Sequence, residues 1–115
     1  MAFSEFERRR VQDNLDEFIA AIRPPAHIRN ELDIGYRIHN QSVIIFEIRP
    51  RWDNPDEVLQ HPVAKTTYVK RAGRWKIYWM RADLKWHRYQ PEPLVDQLVN
   101  FLDVVKEDEY GCFWG

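Results

Sequence analysis

The chain has very little sulfur to work with: one cysteine, Cys112, in 115 residues. A lone Cys excludes an internal disulfide framework, and without a C-x-x-C partner it gives no thiolate zinc site. Glycine is scarce as well. None of its four copies falls in a Gly-rich phosphate loop, and no nucleophile elbow or metalloprotease helix motif occurs. No apolar run approaches the roughly 20 residues needed to span a bilayer. The opening segment, Met1 to Arg10, is charged and lacks the apolar stretch of a secretory signal, so a cytoplasmic location with no membrane contact is expected. The four histidines, His27, His39, His61 and His87, show no pair at metal-ligand spacing. Neither a metal site nor a cofactor is expected from them, and no internal repeat is visible.

What the chain does have is aromatic mass and unevenly placed charge. Apolar residues make up 44%, charged residues 30% and aromatic residues 14%, with five tryptophans. That is a globular profile, and the length suits one core, so residues 1–115 are expected to form a single domain. Large rings must either fill a core or present a stacking surface. The net charge of −1 conceals two opposed segments. Residues 62–91 hold eight Lys and Arg against Asp83 alone, a balance of +7, while residues 92–115 hold six acids against Lys106, a balance of −5. The two can neutralise each other within the fold, or across a homodimer through a reciprocal two-fold contact.

Hydrophobic periodicity predicts an α+β fold: an antiparallel sheet of four or five strands, in two hairpins, flanked by an N-terminal and a C-terminal helix. Ser4-Glu5-Phe6-Glu7 has the form of a capping box, and Val11, Leu15, Phe18 and Ile22 then make one apolar stripe that Pro24-Pro25 stops. Residues 33–38 alternate, with Ile34, Tyr36 and Ile38 on one face. In the run Val43 to Trp52, Ile44, Phe46 and Ile48 are expected inward and Glu47, Arg49 and Arg51 outward. A loop centred on Asn40 would pair residues summing to 80, setting Ile34 opposite Phe46, Asp33 opposite Glu47 and Glu31 opposite Arg49. Residues 53–62 read as a polar excursion with one helical turn at 56–60. Val63–Lys70 and Arg74–Arg81 flank Gly73 as a second hairpin, with Trp75, Ile77 and Trp79 sharing a parity. Asp83–Tyr89 either continues that strand or forms a short fifth one. Pro93 suits a first helical turn, and Leu94, Val95, Leu98, Phe101, Leu102 and Val105 give the second helix its stripe. The aromatic ending, Tyr110 to Trp114, is expected to dock on the body.

The segments ELDIGYRI (31–38), FEIRPRW (46–52), WKIYWMRADLKWHRY (75–89) and YGCFWG (110–115) resemble the bacterial family catalogued as domain of unknown function 3024. The resemblance covers nearly the whole chain. It implies a bacterial, single-domain, cytoplasmic protein, and it supplies no catalytic residue.

Three readings of the chemistry follow from the residues. The preferred one is a non-enzymatic binding domain that contacts nucleic acid or a protein partner through a basic, aromatic strand region: Arg74, Lys76, Trp79, Arg81, Lys85, Trp86, His87, Arg88 and Tyr89, within a wider segment 65–89. Cations serve phosphates and flat rings serve base stacking. The competing account packs Trp75, Trp79 and Trp86 under the helices, with Lys and Arg stems covering them. A second reading is a divalent-metal phosphodiesterase with Asp33 and Glu47 as ligands facing each other across a hairpin, and Arg49 where nucleases of that kind carry Lys. Arg stays protonated and cannot act as a base, so the ordinary account there is a set of cross-strand ion pairs. The third is a homo-oligomeric interaction module anchored by residues 52–62 and the aromatic tail. Asp83, His87 and Cys112 allow a Cys-His-Asp arrangement arithmetically, although a Cys between Gly and Phe is more often a packing residue.

Overall fold

The structure, a computed structural model, describes Ala2 to Trp114; Gly115, the last residue of the terminal motif, lies outside the described residues. Helix α1 spans Glu5–Ile22. Its start is the expected capping box: Ser4 Oγ accepts from Glu7 N at 3.1 Å, and Glu7 Oε1 accepts from Ser4 N at 2.9 Å. Val11, Leu15 and Phe18 are its buried residues, and Arg23 leaves the helix in an extended conformation ahead of the two prolines.

Six strands follow: β1 (Asp33–His39), β2 (Ser42–Arg51), β3 (Asn54–Val69), β4 (Arg74–Met80), β5 (Trp86–Arg88) and β6 (Leu94–Val95), and then α2 (Leu98–Glu107). They form one antiparallel sheet in the order β1-β2-β3-β4-β5, with β6 pairing along β4 beside β5. Two chain reversals rest on positive φ, at Asn40 (+54°) and at Gly73 (+64°).

Three local expectations are corrected. First, the β1–β2 turn uses Asn40 and Gln41, so His39 faces Ser42 and partners sum to 81 rather than 80. A one-residue slip exchanges the two faces of a strand. Ile34, Tyr36 and Ile38 therefore lie opposite Glu47, Ile45 and Val43, and Val43 and Ile45 are the β2 residues sealed in the core. Phe46 turns to the other face. Second, residues 54–62 are strand, not a polar loop with a helical turn. They pair with β2 as far as Arg51–Asn54, leaving Trp52 and Asp53 at the tip, with irregularities at Ile45/Phe46 and at Pro50/Arg51. Third, Leu94 and Val95 are not helical. They form β6 against Lys76 and Trp75, and α2 starts at Leu98, where the Asn100 side chain accepts from Gln97 N.

One face of the sheet is covered. Both helices and the C-terminal tail close over Val43, Ile45, Ala64, Thr66, Trp75 and Ile77, and Leu15, Phe101 and Val105 reach full burial. Thr66, the buried polar residue there, donates its hydroxyl to the Lys76 carbonyl at 2.7 Å, so its polarity is met inside the core. The tail is pinned by Asp108. This residue ends α2 in the left-handed conformation (φ +43°), and its carboxylate accepts from Phe113 N at 3.0 Å and Trp114 N at 2.9 Å. Phe113 is thereby held against Tyr89 at a 4.9 Å ring separation, and the Trp114 indole donates to the Val105 carbonyl. The aromatic ending docks, as expected.

The β2–β3 hairpin outruns its neighbours. β1 reaches it no further than Ile48, whose β3 partner is Gln60, and β4 no further than Ala64, so residues 49–59 stand out as a two-stranded arm on a molecule 45 Å long and 24 Å thick. Arg51 ties the arm near its tip, to Asp53 at 2.6 Å and to Glu57 at 3.0 Å, while Trp52 is 93% exposed. Among the described residues no helix is long and apolar enough to cross a membrane.

Candidate nucleic-acid interface

The opposite face of the sheet carries neither helix. Strand alternation and register decide what it presents. Lys65 lies opposite Tyr78, and Tyr78 opposite Arg88, so one row across β3, β4 and β5 reads cation, ring, cation. Lys65 Nζ is 5.3 Å from the Tyr78 ring centre and 5.9 Å from that of Trp86, and the Arg88 guanidinium is 5.9 Å from Tyr78. Across the sheet on β1 and β2, the Arg37 guanidinium lies 5.4 Å over the Phe46 ring. Each distance is within cation–π range, which holds long basic side chains along the surface instead of letting them wave in solvent. Phe46 can lie flat there because its cross-strand partner is Gly35: a Cβ at that position would meet the ring at 2.9 Å.

Lys65, Lys76 and Arg88 stand on this face, and Asp33, at the same parity on β1, is held by Arg23. Other ion pairs include Arg49–Glu47 and Arg74–Asp96. Among the described residues, Arg37, Lys65, Lys76, Lys85 and Arg88 have no ion-pair partner, and neither does Arg81. Among the described residues, one ion pair, Arg74–Asp96 at 3.3 Å, joins the basic segment to the acidic C-terminal one. The acidic helix sits on the covered face and does not mask the cations.

The residues singled out from sequence separate into four groups. Lys76, Trp86 and Arg88 lie on the open face, half-buried, with Arg74 at the same parity but held by Asp96. Lys85 is exposed in the turn between β4 and β5, where Leu84 adopts φ +62°. Trp79, Arg81 and His87 belong to the helix-side parity: Trp79 packs on the core, Arg81 lies 5.4 Å over its ring, and His87 is its cross-strand partner. Tyr89 is in the interior, 2% exposed, and contributes no surface ring. Arg37 and Phe46 were missed, because the assumed register turned β2 the wrong way. Gly35 within a strand was the signal that a ring approaches closely there.

The metal reading loses its geometry. Asp33 pairs with Ile48 and Glu47 with Ile34, so the two carboxylates point to opposite faces. Asp33 instead receives Nε and Nη2 of Arg23 at 2.8 and 2.7 Å and Ile34 N at 2.8 Å. The Arg23 hydrogen bonds hold its carboxyl below the usual carboxylate range. Glu47 pairs with Arg49 at 3.2 Å, and among the described residues no group of three His, Cys, Asp or Glu side chains could hold a metal.

His87 Nε2 and Asp83 Oδ2 are 2.8 Å apart, and Cys112 lines the same cleft as His87. The hydrogen bond to His87 lowers the Asp83 carboxyl. Cys112 moves the wrong way for a nucleophile: burial, and then the Asp108 carboxylate, push its thiol up and keep it protonated.

Residues 3–115 match the model of the family described as Domain of unknown function (DUF3024). The chain belongs to that family. No curated protein and no solved structure shows a significant match. For this DUF3024 chain the chemistry must therefore be argued from the face itself. It offers a helix-free sheet face with the half-buried rings of Tyr78 and Trp86 and with cations that make no ion pair among the described residues.

Proposed function

We propose that the open face binds single-stranded nucleic acid without catalysis. The observation that carries this reading is the set of cations without an ion-pair partner among the described residues, Arg37, Lys65, Lys76 and Arg88 on one side of the sheet and Lys85 in the turn beside it, interleaved with the half-buried rings of Tyr78 and Trp86. A strand of phosphates supplies the missing negative charge, and the bases find rings and guanidinium planes to stack on. A helix-free sheet face suits an unpaired strand better than a duplex, whose grooves call for a protruding element.

The test is a titration of a labelled single strand, as DNA and as RNA, at about 50 and about 200 mM salt. If the five cations meet five phosphates, log K falls with a slope of about −3.5 in log salt, a loss of roughly a hundredfold across that range. Lys65→Ala and Lys76→Ala each lower the slope by about 0.7, and Lys106→Ala, on α2, leaves it unchanged. Salt-insensitive binding, or face variants that bind like the parent, would overturn the reading.

A further inference from the structure

At the β5 edge, on the helix side of the sheet, there is a cleft of about 520 Å³. Its walls include Trp79, Arg81, His87, Tyr89 and Cys112, and no Asp or Glu lines it. Arg81 lies over Trp79, has no carboxylate partner among the described residues, and is exposed. His87 projects from β5 with Nε2 on Asp83, so that in the protonated ring Nδ1–H is left to donate to an anion, whereas in the neutral ring Nδ1 only accepts. Arg88 also lines the cleft, and its guanidinium belongs to the open face. Strand β5 is thus a wall shared by the two surfaces, and it is three residues long.

From the juxtaposition of a guanidinium and an imidazole, the latter oriented by the Asp83 carboxylate, just around a short edge strand, we infer that the cleft is a phosphomonoester site. Its ligand is the terminal phosphate of the strand that lies on the open face. This rests on the reading of that face as a single-strand platform. A terminal phosphate carries close to two negative charges at neutral pH, against one for each internal phosphodiester, so a cationic cleft separates the two chemically. A strand crossing the row Lys65, Tyr78 and Arg88 arrives at β5, beyond which the sheet has no further strand. It meets Arg81 and His87 by turning over that edge. The same chemistry could be met by a free mononucleotide, so the two sources have to be told apart.

The experiment compares three versions of one oligonucleotide, with a 5′-phosphate, with a 3′-phosphate and with neither, in the same anisotropy titration. One phosphorylated end is expected to bind about tenfold more tightly than the plain strand, the scale of one charge-assisted contact. Arg81→Gln and, separately, His87→Gln should erase that preference and leave the plain strand's affinity as it was. A free mononucleotide added as competitor should reduce the phosphorylated strand to the plain strand's affinity. Equal affinity for all three strands, with binding intact, overturns the cleft and leaves the face standing. A preference that survives both substitutions also overturns the cleft. Failure of all three strands to bind overturns the face, and the inference falls with it.

Discussion

Asp108 offers the sharpest test of how the tail is held. Two features coincide there: a left-handed backbone at the end of α2 and a carboxylate that accepts from two amides of the docked tail. Asp108→Ala removes both benefits. An alanine in the left-handed region costs about 1–2 kcal/mol. Two amides losing a charged acceptor cost about 1–3 kcal/mol each where buried, and less here because both are partly exposed to water. A total near 3 kcal/mol follows, a large share of the roughly 5–15 kcal/mol typical of a domain and equivalent to about 10–15 °C in Tm at this size. Asp108→Gly separates the contributions, since glycine tolerates the backbone but accepts nothing; it should lose about 2 kcal/mol. Asp108→Asn keeps a residue at ease in the left-handed region and one acceptor oxygen, and should lose about 1 kcal/mol. Urea unfolding followed by tryptophan fluorescence gives the order Asp, Asn, Gly, Ala. Should Gly match the parent while Ala does not, the backbone alone matters and the carboxylate clamp is refuted.

Two further outcomes follow from the same structure. Gly35→Ala places a methyl 2.9 Å from Phe46 Cε1. It should cost about 1 kcal/mol net, overpacking outweighing the gain in strand propensity, and Phe46→Leu should cost less in the Gly35→Ala background than in the parent; equal costs in both backgrounds in a double-mutant cycle would remove the contact from the account. Asp33 is held below its ordinary value of 3.8 by Arg23, so its ionised form stabilises the fold fully above that value, and the contribution fades as pH falls through the lowered native value. Thermal melts should show Asp33→Asn less stable than the parent at neutral pH, with the gap closing as pH falls below 3.8.

How much of this could be read from the chain alone depends on where each signal came from. The ends of α1 were legible because Ser4, Glu7 and the proline pair act locally. The β3–β4 hairpin was legible because Gly73 separates two β-branched and aromatic runs, but Tyr78 and Met80 balance Trp75 and Ile77, so which parity turns inward came only from the structure. The face of β2 was not. Residues 43–48 are apolar at both parities apart from Glu47, and a turn that takes two residues instead of one reverses them all. Residues 54–62 look like a loop because both sides of the arm face water, so no hydrophobic alternation marks them; only pairing with β2 makes them strand. The basic, aromatic segment was visible as composition. Its division between an open face and an edge cleft came only from register, which sent Arg88 one way and Arg81 and His87 the other.

The arm carries one more implication. Residues 49–59 have no third strand beside them and no helix above them, and a lone hairpin is barely stable in water. The hydrogen bonds near Trp52 should therefore break and reform many times within a single lifetime of the folded body, in a projection that loosens while its base stays shut. This protein has two levels of permanence built into one continuous ribbon, and its most exposed tryptophan sits at the restless end.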